Sequence, residues 1–408
     1  MDWADSPQQA AFRTQVRTLV EGSLPELYRR RAAAGRPRGL GGVWHEDMRS
    51  ADAEANAAAR AWAEALHAGG FSAPAWPPQY GGAGLSTLEQ FIFNQEMAEA
   101  QAPAVGGGGY SLVGAALIAH GSEEQRQRFL PKTLTGEYQW FQGFSEPGAG
   151  SDLASLQTRA VRDGDEYVID GQKLWGRSRG TDWCFGLFRT DPLAPKHRGI
   201  SFIVLDMRTP GITSRPIITL TGEAEVDETF FEAVRVPADQ VVGGENRGWY
   251  VAMYVLDIER SNVGNAVVLR RYINALLAAV ETEQGRTQAA GGRLTRQRHA
   301  IAQHYMDSEV LFNLSYRIAS LQGANEPNTS ESSSSKILGS ELTQRLSNTA
   351  TKVYGLYANV WDPDSEHAPQ QGLFTYEYLH SVLLTIYGGS NEIQRNVIAT
   401  RGLGLPRG

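Results

Sequence analysis

Residues 167–175, Tyr-Val-Ile-Asp-Gly-Gln-Lys-Leu-Trp, decide the fold. Two runs of β-branched, aromatic and long side chains flank Asp170-Gly171. Asp-Gly readily supplies the positive φ of a tight turn, so the segment reads as a β-hairpin. Further strand patterns lie on both sides, at 138–143, 183–189 (WCFGLFR), 200–206 (ISFIVLD) and 229–235 (TFFEAVR), separated by turn signals. The span from about 138 to 242 is therefore expected to be a β-domain.

Upstream the period lengthens to that of a helix. Ser6-Pro7 is an N-cap followed by proline at the first helical position. Phe12, Val16, Leu19 and Val20 recur at helical spacing. Residues 36–43 form a breaker-rich loop. A second helix over about 48–69 stops at Gly69-Gly70. Residues 74–86 form a proline/glycine loop, and helices resume near 87–102 and 110–136. Downstream, 246–283 reads as one long helix and 293–323 as another. Residues 324–335 read as a polar loop. Helices at about 336–355 and 370–387 follow, then a Gly388-Gly389 break and a last helix at about 390–401. The expected fold is mainly α with a central β-domain. An N-terminal helical domain spans 1–137, a middle β-barrel or sandwich 138–242, and a C-terminal four-helix bundle 243–408.

The 408 residues are 41% hydrophobic and 20% charged, the balance of a globular chain that builds its own core. Cys184 is the one cysteine, so no disulfide framework or cysteine metal cluster forms within the chain. A reducing, cytoplasmic setting is expected. The N-terminus has no signal-peptide pattern, and no apolar run reaches the ~20 residues of a membrane span. The net charge of −7 argues against nucleic-acid binding. Arg29, Arg30, Arg31, Arg36 and Arg38 read as a solvated helix end or loop.

Four features can carry chemistry. In 141–153 (FQGFSEPGAGSDL), Gly148 and Gly150 let backbone approach a ligand, and Ser145 and Ser151 offer hydroxyls. A plain tight loop would look the same. Trp175 can cover a flat cofactor or simply join the core. Glu259 has Val255, Leu256, Asn262 and Val263 at helical spacing, which places it on an apolar stripe. Desolvation there raises a carboxyl pKa and suits a general base, though a buried ion pair fits the residues as well. The Tyr387-Gly388-Gly389-Ser390 break frees N–H groups that can hold an oxyanion, or it only turns a corner. The same two-sided reading applies to Lys196-His197-Arg198, which meets a ligand phosphate or is a solvated turn. It applies also to the Gly106–Gly109 run, which makes room for a ligand or connects two helices.

Seven segments resemble the acyl-CoA dehydrogenase family, in family order and across nearly the whole chain. They are WPPQYGG (76–82), FSEPGAGSDLASLQTRAV (144–161), DGQKLW (170–175), PKHRGISFIVLDM (195–207), FFEAVRVP (230–237), GENRGWYVAM (244–253) and IYGGSNEIQRNVIATRGLGLPR (386–407). The resemblance implies an FAD enzyme that desaturates an acyl thioester between its α and β carbons. It assigns the flavin ring to Ser145 and Trp175, with Gln142 in the same cofactor set. Ser151 falls near the pyrophosphate and pantetheine. Ser390 and the two residues after it, Glu392 included, fall on the C-terminal flavin segment. Asp257, Arg260 and Tyr387 fall in the acyl-thioester cavity, and the Gly388 N–H falls on the thioester oxygen. An electron-transfer flavoprotein is the implied acceptor.

Three departures stand out. The family's commonest catalytic glutamate follows the tyrosine of the last motif, where this chain has Gly388. A smaller group places the base on the long helix before an arginine, and Glu259-Arg260 matches that alternative. After the tryptophan the family usually has Thr or Ser. Here Gly176 and Arg177 follow, with Ser178 reaching the hydroxyl position only through a one-residue slip. The adenosine-end segments, TEQGRTQAAGGR (282–293) and KVYGLYA (352–358), are degenerate. Such loss resembles bacterial α2β2 members acting on bulky acyl-CoAs. Three readings follow: a catalytic acyl-CoA dehydrogenase, homo-oligomeric or the active subunit of a heteromer; a flavin-poor partner subunit of a heterotetramer; or a member with altered chemistry, such as nitroalkane oxidation or dehydrogenation of a carrier-protein-bound acyl group.

Overall fold

A computed structural model describes residues 5–34, 43–258 and 263–406. It opens with helices α1 (Pro7–Ser23), α2 (Glu26–Ala33), α3 (Val43–Met48), α4 (Ala53–Ala68), α5 (Thr87–Glu99), α6 (Ala115–His120) and α7 (Glu123–Leu134). Strands follow: β1 (Trp140–Gly143), β2 (Arg159–Asp163), β3 (Glu166–Gly176), β4 (Trp183–Arg189), β5 (Ile200–Asp206), β6 (Ile212–Ile217), β7 (Val226–Pro237) and β8 (Val241–Val242). The chain then returns to helix, with α8 (Gly248–Ile258), α9 (Val263–Glu281), α10 (Glu283–Gln288), α11 (Arg293–Gly323), α12 (Thr329–Tyr354), α13 (Leu373–Leu384) and α14 (Asn391–Val397). A helical N-terminal part, a β-sheet middle and a helical C-terminal part are therefore present, as the sequence pattern predicts.

Two compact units form. One draws on residues 1–43, 85–103 and 261–408, the other on 44–84 and 104–260. In the second, the sheet order is β6-β7-β3-β2-β4-β5-β8, with β1 pairing in parallel with β4. Phe141, Tyr167, Ile169, Phe188, Ile203, Phe231 and Val234 fill its core. Each such fully buried side chain contributes roughly 1.5–3 kcal/mol of transfer free energy. In the first unit, α9, α11, α12 and α13 close over Leu269, Ile273, Leu311, Leu346, Tyr354 and Phe374.

Local signals explain most boundaries. Ser6, Ser86 and Ser122 each cap a helix, with reciprocal bonds from Gln9, Glu89 and Gln125. The structure revises three expectations. Asp170-Gly171 is not a hairpin turn: β3 runs unbroken through it with a register shift, and the turn to β2 falls at Gly164. The Asp170 carboxylate instead accepts the Ala233 N–H of β7 at 2.9 Å, so its turn-forming group is used across the sheet. The serine-rich 329–335 stretch is helix, not loop. Ser332, Ser333 and Ser335 are buried in α12, and small side chains let α12 pack closely where larger ones would not. The helix expected over 48–69 starts later, as α4 at Ala53, because Asp52 caps that start by accepting the Glu54 and Ala55 N–H groups, and the separate short helix α3 precedes it.

Candidate functional site

In the second unit the site is built on the end of β3. Between Leu174 and Gly176 the register against β7 shifts, leaving Trp175 as the extra residue of a β-bulge. Its φ is +71°, a region non-glycine residues seldom adopt, at a cost of about 1–2 kcal/mol. Bulges re-aim side chains. Here the indole ends 58% exposed, so it does not join the core. Gly176 is required by close approach, since a Cβ there would lie 1.9 Å from the Phe141 ring and 2.8 Å from the Gln142 carbonyl.

The 145–153 loop is lashed to this strand end. The Leu174 N–H donates to the Ser145 carbonyl at 2.9 Å. Among the described residues nothing takes the Ser145 hydroxyl. Glu146 and Ala149 exchange backbone hydrogen bonds at 3.0 and 3.1 Å and close a tight turn. Side chains built at Gly148 or Gly150 would meet nothing, so the backbone there is open to an approaching ligand. Ser151 is exposed, and its neighbour Asp152 pairs with Lys196 of the β4–β5 connection. Gln142, Ser145 and Trp175 are thus brought together, with Ser151 further along the same loop.

Beneath them lies a buried pair that the sequence reading missed. Lys173 is fully buried and donates to Glu146 at 2.7 Å, to the Leu187 carbonyl at 2.7 Å and to the Phe144 carbonyl at 3.3 Å. All three ammonium hydrogens are used. Glu146 also accepts the Gln157 and Thr158 N–H groups at 2.7 and 3.0 Å. Burial pushes its carboxyl pKa up, but Lys173 and these donors outweigh burial and hold it below the ordinary value. The inward strand parity of Lys173, shared with Tyr167 and Ile169, was the available signal.

The loop after Trp175 is pinned by another unforeseen residue, Asp227 of β7. Its buried carboxylate accepts the Ser178 N–H at 2.7 Å, the Arg179 N–H at 2.9 Å and the Arg179 Nε–H at 2.5 Å. Ser178 is 2% exposed, and its hydroxyl bonds Ser214, Asp227 and Thr229 at 2.7 to 3.2 Å. That hydroxyl is committed to the sheet. Arg177 faces outward and donates to Glu46 and to the Glu225 carbonyl, both at 3.3 Å. Glu259 and Arg260 lie outside the described residues, as does the side chain of Asp257; Val255, four positions earlier in the sequence than Glu259, is buried in α8.

The first unit holds the C-terminal candidates. Tyr387 is exposed, at the end of the turn that follows α13. Gly388 and Gly389 have φ of +65° and +79°, which glycine adopts freely. Among the described residues neither glycine N–H has an acceptor, while the Gln394 amide donates to the Gly388 carbonyl at 3.1 Å. Ser390 caps α14 by accepting the Ile393 N–H at 3.4 Å. Glu392 is held below its ordinary pKa by its own N–H and by the Ser390 hydroxyl. Asn391 anchors the turn to α12 through Lys336, Ser340 and Glu341.

Comparison with known proteins gives the class. The chain matches the N-terminal, middle and C-terminal domains of acyl-CoA dehydrogenase over residues 6–137, 142–234 and 246–403. It belongs to the acyl-CoA dehydrogenase family, flavoprotein oxidoreductases that use FAD and act on acyl-CoA. It is 40% identical to acyl-CoA dehydrogenase IpdE1 of Mycobacterium tuberculosis over 97% of both chains. Among solved structures it resembles the Tcur3481-Tcur3483 steroid ACAD, with a TM-score of 0.82 and 32% identity over 100% of both chains. It also resembles the ChsE4-ChsE5 complex from Mycobacterium tuberculosis, with a TM-score of 0.78 and 30% identity over 100% of both chains. Among the described residues no helix is long and apolar enough to cross a membrane.

The residues present fit FAD. An outward-aimed indole, an unpartnered hydroxyl at Ser145 and open glycine backbone at 148 and 150 suit a flat ring and its phosphates. Trp175, Ser145 and Gln142 would hold the ring, and Ser151 the phosphate side.

Proposed function

We propose that this chain carries out α,β-dehydrogenation of an acyl-CoA with Glu259 as the base. The observation that carries the reading is Trp175, kept strained and outward beside the free Ser145 hydroxyl. A tryptophan needed only for packing would be buried with relaxed backbone. FAD, when bound, supplies the hydride acceptor at its N5. Glu259 takes the α-proton, since Gly388 stands where the family's commoner base would be. The Gly388 N–H, which has no acceptor among the described residues, polarises the thioester oxygen. Ser151, Asp257, Arg260 and Tyr387 line the acyl-CoA path. The steroid relative favours a bulky, ring-bearing acyl group, and an electron-transfer flavoprotein is the expected acceptor. The domains implied are 1–137, 138–242 and 243–408.

The absorption spectrum of the purified protein tests the reading first, because a flavin band is expected on isolation or after adding FAD. Glu259→Gln should then retain the band but lose reduction by acyl-CoA by about a hundredfold or more. Ordinary turnover in that variant would remove Glu259 as the base. One observation favours a second reading. With Gly176 and Arg177 in place of hydroxyls and Ser178 committed to the sheet, the chain also suits a partner subunit whose flavin sits on a paralogue. Absence of any flavin band, together with co-purification of a paralogue, would select that reading.

A further inference from the structure

The end of β3 divides its side chains between two faces. Gly176 lies against the Phe141 ring, and Ser178 is buried among Ser214, Asp227 and Thr229. Trp175 and Arg177 are left on the outward side, 58% and 42% exposed. The Arg177 guanidinium is fixed at two points, Glu46 of α3 and the Glu225 carbonyl, each at 3.3 Å.

Its ion pair with Glu46 is solvent-exposed. Asp227, the buried carboxylate nearby, is taken by Ser178 and Arg179. Glu46 is 57% exposed and meets Arg177 through a single long contact, so water screens it strongly. Arg49 is paired with Asp182. A fixed cation thus shares the outward face with Trp175, at a position where the family ordinarily places a hydroxyl.

We propose that Arg177 is a positioning and charge-supplying residue for the flavin, offsetting the negative charge that the ring carries once reduced. The proposal rests on the flavoprotein reading. Hydride transfer delivers two electrons and one proton equivalent, so the reduced ring holds one negative charge unless it gains a second proton. A guanidinium nearby favours that anion through Coulomb attraction, where a neutral hydroxyl offers only a hydrogen bond.

The test measures the flavin midpoint potential of the purified protein, with any subunit that accompanies it, by dye-equilibrated reductive titration. Arg177→Gln keeps hydrogen-bond donors and loses the charge. It should bind FAD but shift the reduction equilibrium by about tenfold, a fall of roughly 30 mV for a two-electron couple. Arg177→Lys restores the charge and should recover most of that shift. A potential in Arg177→Gln equal to wild type overturns the proposal, as does an equal fall in both variants, which would mark a structural role. Loss of flavin from Gln but not from Lys supports it, whereas loss from both overturns it. A wild-type protein that takes up no flavin overturns the functional reading and this proposal together.

Discussion

His45 shows how much one residue's surroundings alter its chemistry. It stands on α3 beside Glu46, and a Cβ at Gly107 would come within 2.6 Å of its Nε2. Burial pushes its imidazole pKa down to about 4, against a hydrogen bond with Gln139, and Arg177 and Arg49 add to the fall. A histidine whose folded pKa lies below its unfolded value binds fewer protons when folded. Its contribution is therefore complete above the unfolded pKa near 6.5 and declines as pH falls from there toward 4. The full span is on the order of 3 kcal/mol. Urea denaturation of wild type and His45→Gln across pH 4 to 7 checks this. The difference between the two profiles should grow as pH rises through that window, and a constant difference would contradict it. Nothing in the residues around position 45 announces that burial. Glu259, by contrast, is a candidate from the sequence, through its apolar neighbours and, by the family resemblance, the glycine at 388.

At the scale of elements, the bulge at the end of β3 sets the site. Alternation along a regular strand would aim residue 175 with residue 173, into the core where Lys173 lies. The extra residue breaks that parity and turns the indole outward, at the cost of a positive φ. Replacing Trp175 with glycine should relieve about 1 kcal/mol of backbone strain. The Trp175→Gly variant is expected to be slightly more stable to urea than wild type while binding FAD more weakly. Lower stability would mean that the indole packs for structure rather than for a ligand. The Asp170-Gly171 expectation failed for a related reason. The dipeptide permits a turn, but pairing with β7 on the far side of β3 rewards a continuous strand, and local sequence carries no information about that neighbour. Likewise the serines of 329–335 favour loops in isolation. They are held helical because small residues are what close packing on α12 requires.

On the scale of the whole molecule, large apolar side chains remain uncovered within the helical unit. Tyr305, Met306 and Val310 are exposed on α11, as are Leu356 and Trp361 beyond α12. Isolated exposed apolar residues need no explanation, but several on one helix suit a surface for another subunit. The chain is therefore expected to sediment as an oligomer, with itself or with a paralogue. Charge substitution at Met306 or Val310 should weaken that assembly. Sedimentation velocity as a monomer at every concentration tested would count against it.

The sequence by itself determined the class of the molecule. Helical and strand periods marked out the α, β and α segments, the Ser6 cap is local chemistry, and α11 spans the 293–323 that its periodicity predicts. The candidates Ser145, Ser151, Trp175 and Gly388 came from the family resemblance of their motifs, since local pattern alone left each with a purely structural alternative. Only the tertiary structure decided what those residues face. That Trp175 projects outward, that Lys173 and Glu146 are the buried tie beneath the loop, and that Asp227 consumes Ser178 all depend on pairing between β3, β7 and the 145–153 loop. Those contacts join residues far apart in the chain. Their energies come from desolvation and mutual geometry, which no local pattern encodes.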